Sequence, residues 1–199
     1  MIEPCSTCSR PLDFQGPGDI KVHYCKGRFP VAFVLSAPGS EEVKARRPVA
    51  GERGTGRNLE DGLTLLREMR PDWFPGKCRY EYRITNAFDV PQSKRMTGRS
   101  EADFSAVKRR ADEVADDLQG CNLVILCGKR AQSLEDRLRM TMKGVVFARV
   151  CHPGARGLSA TYRNDVLRMH ALPEVRSKER VRRWAEDVCK QLTGTDPLI

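Results

Sequence analysis

Val31-Ala32-Phe33-Val34-Leu35, running straight into Ser36-Ala37-Pro38-Gly39, decides the fold. A short apolar run that ends in small, rigid residues describes a strand buried on both faces, followed by a loop whose backbone can approach a ligand closely. The pattern returns near the other end of the chain. There Val145-Val146-Phe147-Ala148-Arg149-Val150 and Cys151 lead into His152-Pro153-Gly154-Ala155-Arg156-Gly157-Leu158-Ser159. Two further strand-like runs lie between them: Tyr82-Arg83-Ile84-Thr85-Asn86-Ala87 and Leu123-Val124-Ile125-Leu126-Cys127.

Helical patterns separate these runs. Asn58 is placed to cap a helix with Leu59, Leu63 and Leu66 on one face, and Pro71 lies just past its end. Ser100 opens a second helix, with Asp103 three residues on as in a capping box. Its apolar stripe is Phe104, Val107, Ala111, Val114 and Leu118, and Gly120 ends it. A third helix follows Gly128 over about 130–138, and the last carries Val181, Trp184, Val188 and Leu192. This alternation predicts an α/β protein, a three-layer α/β/α sandwich around a central four-stranded parallel sheet. Ligands bind such sheets beyond the carboxyl ends of the strands. Those ends carry Ser36 to Gly39, Asn86 to Asp89, Gly128-Lys129 and Cys151 to Gly154, so polar and glycine residues gather at one rim.

Residues 1–30 differ from the rest: Cys5, Cys8 and Cys25, the turn signal Gly16-Pro17-Gly18 and little helical periodicity mark a Cys-rich appendage. Residues 31–199 form the α/β domain. A chain of 199 residues, 40% hydrophobic and 31% charged, can bury a core without staples and is too apolar for general disorder. Its net charge is +9 and is not gathered in a tail, which favours a polyanion, nucleic acid above all, as partner. No run approaches the roughly 20 apolar residues of a membrane span, and the first residues hold no apolar signal core. A cytoplasmic monomer with mostly reduced cysteines and no membrane partner is expected.

With the strand ends in place, the chain resembles the uracil-DNA glycosylase superfamily. The family's first motif, a strand followed by Gly-x-x-Pro-Tyr or Gly-x-x-Pro-Gly, is similar to Leu35-Ser36-Ala37-Pro38-Gly39, with Glu41 and Glu42 following. Arg47-Pro48-Val49-Ala50-Gly51 resembles the Gly-Arg-Pro-Phe-Val-Gly segment of the iron–sulfur-bearing branch. Ile84-Thr85-Asn86 matches a strand ending in Asn, and His152-Pro153-Gly154 matches His-Pro-Ser. Leu158-Ser159 and Tyr162-Arg163 are similar to the continuation of that motif in the cluster-free branch. The likeness covers residues 31–192, with the motifs in order.

The resemblance implies a monofunctional DNA glycosylase that flips uracil or a modified pyrimidine out of DNA and hydrolyses its N-glycosidic bond. Cleavage leaves negative charge on the departing base, and a neutral histidine can stabilise it with a preorganised donor. His152 is the candidate, and a helix-capping or phosphate-contacting histidine is the alternative. Asn86 offers a carboxamide to a base edge; a loop-capping Asn is the other reading. Ser36, Ala37, Pro38, Gly39, Val49, Phe88, Pro153 and Gly154 would shape the base pocket. Ser40, Ser159, Arg47, Arg53, Arg57 and Arg156 would meet phosphates. Leu158 would either wedge into the vacated stack or pack within its own loop.

Three departures from the family stand out. Ser36 and Ala37 replace the Glu and Asp that the two branches carry, leaving Glu41, Glu42 or Asp89 to orient water, with a surface carboxylate as the other reading of each. Val49 replaces a stacking Phe, and Gly154 replaces Ser. A bulkier modified pyrimidine or slow excision suits these changes. Cys5-x2-Cys8 resembles the first half of that branch's cluster, but no Cys lies between Cys78 and Cys121 to complete it. A structural zinc on Cys5, Cys8, His23 and Cys25 is expected in place of an iron–sulfur cluster, with a metal-free N-terminus as the alternative. Catalysis would need no cofactor. The rival function is a non-catalytic nucleic-acid-binding module that kept the fold. A nucleotide-binding regulator is disfavoured, because the 51–56 loop lacks a Gly-Lys-Ser/Thr ending.

Overall fold

A computed structural model describes residues 22–92, 101–169 and 172–195 of the chain. Five strands form one sheet: β1 (Tyr24–Cys25), β2 (Phe29–Leu35), β3 (Tyr82–Asn86), β4 (Leu123–Cys127) and β5 (Val146–Val150), in the spatial order β1-β3-β2-β4-β5. The four expected strands are present and mutually parallel. The sheet is nevertheless mixed and five-stranded, because β1 pairs antiparallel with β3 through Tyr24↔Thr85 and Cys25↔Ile84. Two residues carry no periodic signal, so β1 was hidden in the segment read as an appendage. Residues 24–25 and 29–30 thus belong to the sheet.

The helices are α1 (Ser40–Ala45), α2 (Thr55–Met69), α3 (Phe104–Arg109), α4 (Ala111–Asp117), α5 (Lys129–Gln132), α6 (Glu135–Thr141), α7 (Ala155–Met169) and α8 (Pro173–Gln191). They cover both faces of the sheet. Leu59, Leu63 and Leu66 of α2 and Val181, Trp184 and Val188 of α8 share one core with Phe33, Ile84 and Ile125. Val107, Val114, Leu118 and Leu138 share the other with Ala32, Val34, Val124 and Leu126. Alternate strand residues face opposite layers, which is why these strands read as continuous apolar runs. At the outer edge, the Gln191 carboxamide accepts from Arg149 N–H at 2.7 Å and donates to Arg149 O at 2.6 Å. It stands in for a neighbouring strand and blunts an edge that would otherwise be open to pairing.

Three helix starts differ from expectation. α2 begins at Thr55, so Asn58 is not its cap. Asp103, expected inside the first turn, is the N-cap of α3 and accepts from Ser105 N and Ala106 N. The expected single helix breaks at Arg110 into α3 and α4, and Phe104 leaves the stripe to stand 43% exposed. Finally, the stretch after Gly154, read as a loop, is the first turn of α7.

Candidate active site

The strand register sets the site. Leu35 pairs with Asn86, Val34 with Leu126, and Cys127 with Val150, so the four parallel strands end at one level. Beyond that level two loops run together. Ala87 N–H donates to Leu35 O at 2.7 Å, Phe88 N–H to Ser36 O at 3.0 Å and Gln92 N–H to Pro38 O at 2.9 Å.

The loop after β5 is tied down carbonyl by carbonyl. Val150 O accepts from Gly128 N–H and from Gln132 Nε2, both at 2.8 Å. Cys151 O accepts from Trp184 Nε1 at 3.0 Å, and Pro153 O from Asn58 Nδ2 at 2.7 Å. Asn58 thus holds the His152 loop instead of capping a helix. Two glycines make room for it. Gly128 has φ +91 and lies against His152 Cβ, where a methyl would sit at 3.1 Å. A methyl on Gly157 would meet His152 O at 2.2 Å, closer than any real contact.

Within this loop Gly154 N–H donates to His152 Nδ1 at 3.0 Å. Burial disfavours the imidazolium and pushes the His152 pKa down to about 4. The ring is therefore neutral at physiological pH, and because Nδ1 accepts, the proton sits on Nε2. His152 walls a cavity of about 1150 Å³ together with Ser36, Ala37, Gly128, Lys129 and Gly154. The first-motif loop and the His152 loop therefore meet across one opening, as the strand ends predict. Arg156 also lines it.

Other expected site residues lie elsewhere. Asn86 is buried outside these walls. Its Nδ2 donates to His23 O at 3.4 Å, and its own carbonyl accepts from Arg110 Nη1 at 3.5 Å. Val49 is buried in the core with φ +50, its carbonyl accepting from Tyr80 Oη. Pro38 and Pro153 are buried, and Phe88 packs on the core beside α3 and α4. Leu158 is 2% exposed within the core, so it packs and does not protrude as a wedge. The start of α7 turns it inward.

The two carboxylates following the first-motif loop differ. Glu41 is exposed and pairs with Lys44 at 3.0 Å. Glu42 is partly buried, its carboxylate accepts from Gly39 N–H at 3.0 Å, and burial pushes its pKa up. Among the basic and hydroxyl candidates, Ser40, Arg53, Arg57 and Arg156 are exposed, and Ser159 is partly buried in α7. Arg47 instead lies over the Tyr80 ring at 4.9 Å. Lys129, placed at the rim by its strand end but given no role, and Arg130, which was missed, also wall the cavity. Their only sequence signal is their place directly after Gly128 at a strand end.

Of the proposed zinc ligands, Cys5 and Cys8 lie outside the described residues. Cys25 is a core thiol: burial pushes its pKa up, and Sγ donates to Tyr80 O at 3.6 Å. Those surroundings favour a buried thiol over a thiolate ligand. The described residues contain no cluster of three or more His, Cys, Asp or Glu able to hold a metal, and no helix long and apolar enough to cross a membrane. No protein-family model matches the chain, and no curated protein matches it.

Proposed function

We propose that this protein is a monofunctional DNA glycosylase acting on uracil or a modified pyrimidine. The observation that carries the reading is the neutral His152, held with its Nε2 proton free beside a rim cavity. As the C1′–N1 bond breaks, its electron pair leaves with the base and charge develops on the pyrimidine O2. A fixed, desolvated N–H donor aimed there lowers the barrier without moving a proton. Water then adds to C1′ and loses its proton to solvent or a carboxylate. Glu42 suits that role better than Glu41, because it is partly buried and fastened to the first-motif loop through Gly39. Ala37 brings a methyl group where a carboxylate would speed the step, so turnover is slow.

The opening has room for more than a bare pyrimidine, which supports a substrate with an added substituent. Lys129, Arg156, Arg53 and Arg57 would contact the phosphates. DNA is the partner, a single subunit suffices, and catalysis needs no cofactor. A structural zinc remains a separate proposal, with Cys25 its weakest ligand; metal analysis of the purified protein checks it.

A non-catalytic DNA-binding module is the second reading. It is favoured by the absence of a carboxylate at Ala37 and by the engagement of the Asn86 amide with His23 O. Oligonucleotides carrying uracil and a series of modified pyrimidines, incubated with protein and then heated in alkali, separate the two. Strand breaks dependent on His152 support the enzyme. Tight binding without breaks at any base supports the module.

A further inference from the structure

We propose that Phe104 and Arg130 form the element that fills the gap left in the duplex when a nucleotide swings out; the proposal rests on the glycosylase reading. Extruding a base leaves an unstacked hole opposite its partner, and an apolar or aromatic side chain that enters the hole offsets part of that loss. Leu158 cannot enter it, because it is locked in the core.

The rim of the cavity offers a replacement. Phe104, the first residue of α3, is 43% exposed, whereas Val107 one turn on is fully buried. Its ring is fixed in place. Asp103 caps the helix through Ser105 N–H at 2.8 Å, and the Arg130 guanidinium lies over the ring at 3.5 Å from its centroid. Arg130 walls the same cavity as His152. It is braced by Glu101 at 3.3 Å, and its buried Nε has no hydrogen-bond partner. Lys129 of the cavity wall and Lys108 and Arg109 of α3 add exposed positive charge, against the exposed carboxylates of Glu101 and Asp103. An aromatic ring braced by a guanidinium is a stacking surface for a nucleobase, and the exposed Lys108, Arg109 and Lys129 suit the neighbouring phosphates. Phe104 therefore stacks on the orphaned base, and Arg130, 17% exposed and paired with Glu101, holds the ring in place.

The test compares binding of wild type, Phe104→Ala and Phe104→Trp to an intact duplex and to one with a stable abasic analogue at a single position. Wild type is expected to favour the abasic duplex. Phe104→Ala loses affinity for it by about tenfold, the size of one lost base–aromatic stack. It keeps its affinity for intact duplex, and Phe104→Trp restores the preference. Excision by Phe104→Ala falls on duplex substrate and is unchanged on single strands, which have no hole to fill. The proposal is overturned if wild type shows no preference for the abasic duplex, or if Phe104→Ala binds both duplexes as wild type does. Should wild type prefer the abasic duplex through Phe104 yet release no base from any substrate, gap filling stands and the glycosylase reading fails. Should both proteins excise equally from duplex, the reverse holds.

Discussion

Gly154 N–H donates to Nδ1 of His152, two residues before it, at 3.0 Å. This contact chooses the tautomer. With Nδ1 occupied as an acceptor, a neutral ring must carry its proton on Nε2. The carbonyls of Val150, Cys151 and Pro153 are engaged by α5, α8 and α2, which fasten the loop on both sides of the ring. Preorganisation of this kind lets a hydrogen bond count in a transition state without reorganisation at the moment of reaction.

The ionisation of His152 gives the first prediction. Its folded pKa is about 4, against about 6.5 for an unfolded imidazole. Between these values the unfolded chain binds more protons, so stability present above pH 6.5 is lost as pH falls toward 4. The loss is at most roughly 3.5 kcal/mol. Urea unfolding across this window should show it in wild type and not in His152→Asn. The excision rate should show no limb near pH 6.5 that depends on His152. Such a limb would mean that the imidazolium takes part.

Gly157→Ala should unfold at a lower temperature and lose activity together. Its new methyl would sit 2.2 Å from His152 O, so the loop or α7 must move. The loss should exceed about 2 kcal/mol, as for overpacked interior sites. Thermal unfolding of the purified variant measures it. Unchanged stability would show that the loop is looser than described.

Asn58→Ala removes the tie from α2 to Pro153 O. One hydrogen bond of this kind is worth about 1 kcal/mol of stability. The excision rate should fall further than binding does, because the loop loses orientation and not its contacts. Single-turnover kinetics beside equilibrium DNA binding separates the two. A loss confined to binding would place Asn58 in the DNA interface instead.

Much of this architecture was legible in the chain. The four parallel strands are continuous apolar runs because both faces are covered, and the core faces of α2 and α8 follow from 3.6-residue spacing. β1 was not legible, because Tyr24 and Cys25 make a two-residue strand. Leu158 stayed open between wedge and packing because a leucine after a glycine-rich loop reads the same whether it points inward or outward; the core claims it. Phe104 misled in the opposite sense: it keeps helical spacing with Val107 but stands at the helix start, beyond the core. His152 and the Ser36-Ala37 loop were placed together correctly, since strand ends fix loop positions. Asn86 shares the level of the rim, but its amide is drawn toward His23 O by β1, an element with no signal in the sequence.

Glu42→Gln should slow base excision without weakening DNA binding, whereas Glu41→Gln should alter neither. Glu42 is partly buried on Gly39 N–H, while Glu41 is an exposed partner of Lys44. Rates under single turnover for both variants provide the comparison. Equal effects of the two substitutions would remove Glu42 from the water-activating role.

The most direct measurement is the release of free base, detected by mass spectrometry, from oligonucleotides carrying uracil or modified pyrimidines. Wild type should liberate the intact base from at least one of them and leave an alkali-labile site. His152→Ala should do so about 10²–10³-fold more slowly while binding the same DNA equally well. Release at the same rate by both proteins, or by neither from any pyrimidine, would contradict the account.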